Sequence, residues 1–160
     1  MGSEMCIRDR YGKGFRTSIS LDRIESVIDL KSVGVAIDIG ANRGSFVKEL
    51  SLRAPQAEIV ALEPDNSVVD AYEHKASINL INERVENFKF PSAKYDLVYC
   101  SHTIEHLSAP LQMLSNLRQA VSPNSICFFE VPNLDIIGKD DLLEEFFIDK
   151  HLFHLSLIHI

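Results

Sequence analysis

A single α/β domain built on a parallel sheet is the fold this sequence predicts, and three features of its 160 residues predict it. Short runs rich in Val and Ile alternate with amphipathic stretches between Val33 and Val131, which is how repeated strand-helix units read. A glycine-bearing turn, GANRG at 40–44, follows the first of those runs directly. The composition, 46% apolar and 24% charged, suits one soluble domain with a single continuous core.

The elements follow in chain order. A helix is expected from about Ser20 to Lys31, because Leu21, Ile24, Val27 and Ile28 recur on one face. The first strand is Val33 to Ile39 (VGVAIDI); after the turn, a helix from Ser45 to Arg53 presents Phe46, Val47 and Leu50, with Pro55 just beyond it. The second strand, Glu58 to Leu62 (EIVAL), leads through Glu63-Pro64-Asp65 into a helix from about Asn66 to Lys75, with Asp65 as its N-cap. A third strand is placed near Ser77 to Ile81, where the run INLINERVENFKF mixes periods. The fourth, Tyr95 to Cys100 (YDLVYC), precedes a helix opened by Pro110 with Leu111, Leu114, Leu117 and Val121 as its buried stripe. A Pro123-Asn124 turn then starts the fifth strand, Ser125 to Val131 (SICFFEV), which Pro132 ends.

Charge and cysteine usage bound the partners. A formal net charge of -7 with scattered Lys and Arg disfavours nucleic acid, whose phosphates call for clustered cations. Three widely spaced cysteines, Cys6, Cys100 and Cys127, suit a reducing, cytoplasmic setting, with Cys100 and Cys127 read as small buried apolar residues. No run approaches a membrane span and the first thirty residues hold no signal-peptide core. Residues 5–10 (MCIRDR) and 155–160 (LSLIHI) resemble translated sequencing-adapter read-through, so a fragment is expected whose native chain begins before about Tyr11 and continues past His154.

The chemistry is read from VAIDIGANRGSF, residues 35–46, in which a buried strand runs into a glycine turn and a helix start. Gly40 and Gly44 allow positive φ and let a ligand lie on bare backbone, while the N-H groups of the following helix face its anionic end. A dinucleotide turn needs G-x-G-x-x-G; here Gly40, Asn42 and Ser45 occupy those places, and two of the three fail. Glu63, after the second strand, stands where a ribose lies in a doubly wound sheet, and its carboxylate can accept from both sugar hydroxyls. Asp38 repels phosphate and attracts an ammonium, so a nucleoside bearing an amino acid suits the mixture best.

Together VAIDIGANRGSF, ALEPD, YDLVYCSHTIEHL and LRQAVSPNSICFFEVPN resemble the successive motifs of class I S-adenosylmethionine-dependent methyltransferases over about residues 33–133, within the broad ubiquinone-pathway-like and sugar-modifying group. The resemblance implies a Rossmann-like three-layer α/β/α sandwich with core strand order 3-2-1-4-5, and S-adenosylmethionine as cofactor. It implies that Asp38, Gly40, Ala41, Asn42 and Gly44 hold the methionine part and that Glu63, Pro64 and Asp65 surround the ribose. By the same resemblance the Glu83 to Glu86 region, with Val85, takes the adenine, although Arg84 departs from the acidic residue common there. Cys100, Ser101 and His102 would line the methyl-transfer end.

His102 is the candidate base for a hydroxyl acceptor, with His106 second; against both stands a packing or capping role. Methyl transfer to a small or medium-sized acceptor, such as a sugar, quinone or lipid precursor, is the expected activity. The alternatives are a methyltransferase-like domain that binds cofactor without catalysis, an NAD-type oxidoreductase, and a zinc hydrolase on His102-Thr-Ile-Glu105-His106, formally H-x-x-E-H. No metal is expected, and His151 and His154 are read as solvated or packing residues. Residues 1–31 form an amino-terminal segment, 32–133 the cofactor-binding core, and 134–160 an incomplete end lacking the family's last two strands, which would leave the fifth strand a bare, aggregation-prone edge.

Overall fold

The computed structural model describes residues 15–72 and 77–132. Within them the elements are α1 (Phe15–Glu25), a 3-10 turn (Leu30–Ser32), β1 (Val35–Ile39), α2 (Ser45–Arg53), β2 (Glu58–Leu62), a 3-10 segment (Asn66–Tyr72) and β3 (Ile78–Ile81). They continue with β4 (Tyr95–Ser101), a 3-10 turn (Ile104–His106), α3 (Pro110–Ala120) and β5 (Val121–Glu130). The five strands form one sheet in the order β3-β2-β1-β4-β5, every neighbouring pair parallel, as the resemblance implied.

Both faces of the sheet are covered, which is why its inner strands read as continuous apolar runs. Alternate residues of β1 go to opposite sides: Ala36 joins Leu21, Ile24, Val47 and Leu50 under α1 and α2, and Ile37 and Ile39 join Met113 and Leu117 under α3. Arg53 fastens the first layer, its guanidinium reaching Asp22 at 2.6 Å and Glu25 at 2.8 Å on α1.

Several elements depart from their expected form. The first helix begins at Phe15 and stops at Glu25 rather than spanning Ser20 to Lys31, and Val27 is 68% exposed. Local side chains take over the backbone groups there: Ser26 Oγ donates to the Arg23 carbonyl at 2.6 Å, and Asp29 Oδ1 accepts from Lys31 N at 2.9 Å. Residues Asn66–Tyr72 are wound as a 3-10 segment instead of an α-helix, with Asp65 Oδ1 accepting from Ser67 N at 2.8 Å.

In α3 the buried stripe is Met113, Leu117 and Ala120, and Leu111 is 80% exposed. Spacings of four and three track 3.6 residues per turn more closely than the expected three, three and four. Strand β5 starts at Val121, ahead of the Pro123-Asn124 pair, because the register against β4 slips between Tyr95 and Leu97. Pro123 falls within that irregularity, at the edge of the sheet, where a missing N-H is tolerated. Cys127 on the same strand is exposed rather than buried, for among the described residues β5 has a neighbour on one side only. The expectations for Cys6, Tyr11 to Gly14, the end of the helix at Lys75, His151, His154 and the two further strands lie outside the described residues.

Candidate functional site

A hollow of about 390 Å³ opens where the chain leaves the carboxyl ends of β1, β2, β3 and β4. The sheet order turns back between β1 and β4, so the strand-to-loop connections diverge there and leave a crevice. Its volume falls in the range of roughly 300–1,000 Å³ usual for small-molecule sites.

The glycine turn forms one wall. Gly40 N and Ala41 N both donate to the Leu62 carbonyl, at 2.9 and 3.2 Å, so the turn folds over the end of β2. Gly40 has φ +78°, and a Cβ there would collide with the Thr103 hydroxyl of the loop after β4. Gly44, at φ +73°, faces the Tyr72 ring, 2.8 Å from where its Cβ would lie, and the Tyr72 hydroxyl donates to the Asn42 carbonyl at 2.7 Å. Bare backbone at these two places lets the first and fourth loops close on one another.

Glu63 joins the turn to the end of β2. It is buried; Oε2 accepts from Asn42 N and Oε1 from Asp65 N, each at 2.8 Å. Two of the carboxylate's four lone-pair positions are engaged, which leaves acceptor capacity toward the hollow. Asp38 is buried too, but alternation along β1 sets it on the α1/α2 side while Ile39 lines the hollow. Burial, and then the nearby Glu63 charge, push the Asp38 carboxyl up from 3.8 to about 8.

Asp38 therefore holds a proton more tightly folded than unfolded, a stabilisation present below pH 4 and lost as the pH rises toward 8. Urea titrations of Asp38→Asn at pH 5 and pH 8 are expected to show a smaller drop in midpoint between the two than the parent chain shows; an equal drop would contradict it.

The other residues singled out from sequence divide into two sets. Gly40, Asn42, Glu63 and Pro64 line the hollow, and so do Glu83, Val85, His102 and His106. Ala41 and Gly44 are buried within the turn, Asp65 faces solvent, and Ser101 Oγ donates to Glu130 Oε2 at 2.7 Å. Cys100 is fully buried among the α3-side core residues, and burial pushes its thiol up to about 12, so it has no reactive sulfur to offer the hollow. Sequence reasoning missed Ile39, Leu62, Thr103 and Leu107 on the wall. The two strand-terminal residues carry a signal, since a residue ending a strand beside a switch point meets whatever binds there; Thr103 carries none without Gly40's close approach.

His102 adopts φ +49°, a left-handed conformation that costs a non-glycine residue free energy and persists where its surroundings enforce it. Its N-H donates to the Glu130 carbonyl at 2.8 Å. The imidazole lies with Nδ1 3.5 Å from Glu105 Oε1 and Nε2 3.9 Å from Glu130 Oε1. Among the described residues no group of three or more His, Cys, Asp or Glu is arranged to hold a metal ion; in the H-x-x-E-H run Glu105 turns inward, 1% exposed, while His106 is exposed.

Comparison with known proteins agrees with this architecture. The plantazolicin methyltransferase, solved in complex with SAH, superposes with a TM-score of 0.76 at 19% identity, covering 98% of this chain and 66% of that one. A SAM-dependent methyltransferase from Leishmania major gives a TM-score of 0.61 at 24% identity, over 71% of this chain and 49% of that one. These two establish the fold. Among curated relatives, the tRNA U34 carboxymethyltransferase of Campylobacter curvus is 29% identical over 117 residues, 70% of this chain and 38% of the relative. The ubiquinone biosynthesis O-methyltransferase of Coxiella burnetii is 24% identical over 120 residues, 72% of this chain and 50% of the relative. The chain thus spans half or less of the curated relatives it matches. A methyltransferase-domain family model matches residues 16–157, and the chain belongs to that family.

Proposed function

We propose that the hollow binds S-adenosylmethionine and that the protein passes its methyl group to a small or medium-sized acceptor, a sugar, quinone or lipid precursor among the candidates. The observation that carries this reading is the closure of the Gly40 turn, Glu63 and the loop after β4 around one hollow, with no side chain at residue 40 to fill it. The donor set fits the molecule: Glu63 has lone pairs left for the ribose hydroxyls, and its charge favours a ligand bearing an ammonium and a sulfonium. Val85, buried, and the chain from Glu83 to Glu86 supply an apolar floor and polar edges for a purine.

S-adenosylmethionine supplies an electrophilic methyl group on sulfur, so the protein's share of the work is largely orientation. In this reading the turn holds the amino-acid end and Glu63 the sugar, leaving the acceptor to approach from the side of His102. Glu63, Glu83, Glu86 and Glu130 around that approach, with a net charge of -7, favour a small acceptor over a nucleic acid. Among the described residues no helix is long and apolar enough to cross a membrane. The free thiols of Cys100 and Cys127 suit action in a reducing compartment, and residues 32–133 are assigned as the cofactor-binding core, following the amino-terminal segment.

Calorimetric titration with S-adenosylmethionine, SAH and NAD tests the reading. SAH is expected to bind with micromolar affinity and NAD not at all; binding of NAD alone, or of none of the three, overturns it.

A further inference from the structure

We propose that the acceptor is a hydroxyl compound whose proton passes to His102 Nε2, and that Glu105 and Glu130 are positioning residues holding the His102 ring for that task. The proposal rests on the methyl-transfer reading of the same hollow. It starts from Glu105: neither oxygen of this 1%-exposed carboxylate has a hydrogen-bond partner among the described residues. A carboxylate removed from water needs a donor or a cation, and His102 Nδ1, 3.5 Å from Oε1, can serve as either.

Burial is the largest influence and acts to raise the Glu105 carboxyl, but the His102 imidazole, Glu105's own backbone N-H and His106 together outweigh it, leaving the group below its ordinary range and ionised. An ionised Glu105 accepts only, so it selects the neutral tautomer with hydrogen on Nδ1 and leaves the lone pair on Nε2. His102 lines the hollow, and the left-handed backbone that puts it there is held by the bond from its N-H to the Glu130 carbonyl.

On the Nε2 side stands Glu130 Oε1, 3.9 Å away, too far for a direct hydrogen bond. Glu130 is fixed by Ser101 Oγ at 2.7 Å and by Arg16 of α1 at 3.8 Å. The charged and titratable groups around the ring are therefore Glu105 and His106 from its own loop, Glu130 from β5, and Arg16 through Glu130. Two carboxylates flank the imidazole, so both face the positive charge created when it takes a proton. An acceptor hydroxyl in that place donates to Nε2; as its oxygen bonds to the methyl carbon, the carbon-sulfur pair stays on sulfur and the proton moves to His102. Charge balances, since the sulfonium becomes a neutral thioether and the imidazole an imidazolium. An amine arriving as an ammonium has no lone pair for the methyl until it has lost a proton, whereas a hydroxyl brings its lone pairs with it, so the arrangement favours a hydroxyl.

Nitrogen-15 correlation spectra of the histidine rings, recorded on the full chain from pH 5 to 9, test this without any turnover. His102 is expected as a single neutral tautomer with Nδ1 protonated. Glu105→Gln is expected to populate the Nε2-H tautomer, because the amide can turn an NH2 donor toward Nδ1, with SAH affinity kept within about twofold. Phenol added to the SAH-saturated protein is expected to shift Nε2, and anisole, which has no hydroxyl proton, to leave it in place. A dominant Nε2-H tautomer in the parent chain, a tautomer unmoved by Glu105→Gln, or equal responses to phenol and anisole would each overturn the proposal. The tautomer is read on the parent chain, so it stands even where the Glu105 variant does not fold. Failure of SAH to bind the parent chain would count against the methyl-transfer reading alone.

Discussion

Replacing Gly40 with Ala is expected to destabilise the protein by about 2–5 kcal/mol and to abolish measurable SAH binding. Two costs add. A residue with a Cβ at φ +78° is strained by roughly 1–2 kcal/mol, and the new methyl collides with the Thr103 side chain, an overpacking that costs about 1–3 kcal/mol. The loop after β4 has to move aside, and that movement displaces His102, one residue before Thr103, from the wall of the hollow. Thr103→Ala in the Gly40→Ala background removes the Oγ1 and Cγ2 collisions and leaves the Thr103 Cβ contact at 2.9 Å together with the strain. Urea unfolding of the four chains of this cycle should therefore return part of the lost stability, with a coupling of about 1 kcal/mol. A Gly40→Ala chain with the parent midpoint and the parent SAH affinity would show that close approach of the two loops is not what shapes the site.

Glu63→Ala is expected to weaken SAH binding by about a hundredfold, near 2.8 kcal/mol, because one carboxylate serves two purposes. It accepts from Asn42 N and Asp65 N, fixing the turn, and in the proposed complex it also accepts from the ribose. Removing it leaves two half-buried N-H groups without their acceptor, at about 1–3 kcal/mol each. Glu63→Gln keeps one oxygen but turns an NH2 group toward a backbone donor, and should fall between the parent and Ala. It should also relax Asp38, whose carboxyl the Glu63 charge helps to raise, so the loss of stability with rising pH still begins near pH 4 but ends at a lower pH and is smaller. Calorimetry with SAH and urea titrations at several pH values measure both effects, and unchanged SAH affinity in Glu63→Ala would remove Glu63 from the binding site.

Much of this was legible in the residues because it depends on short-range physics. Strands buried on both faces must be apolar along their length, so VAIDI, EIVAL and YDLVYC announced the centre of a parallel sheet, and the coordinates pair them in the implied order. Gly40 and Gly44 announced a turn of positive φ, which both adopt. Elements whose form depends on competition were less legible. The end of α1 was set by Ser26 and Asp29 capturing nearby backbone groups, and the wet face of α3 by which of two close periodicities met the sheet.

Alone, the sequence determined an α/β class, a strand-turn-helix junction at Gly40 as the candidate ligand site and an acid at residue 63 to accompany it, since each follows from spacing and side-chain chemistry along a few residues. The tertiary structure decided which groups meet across long separations: Thr103 against Gly40, Asp38 turned from the hollow while Ile39 faces it, and His102 set between Glu105 and Glu130. Those contacts join different strands and loops. The distances that matter in them are set by how the sheet packs and twists, a property that belongs to the assembled layers and to no single stretch of chain.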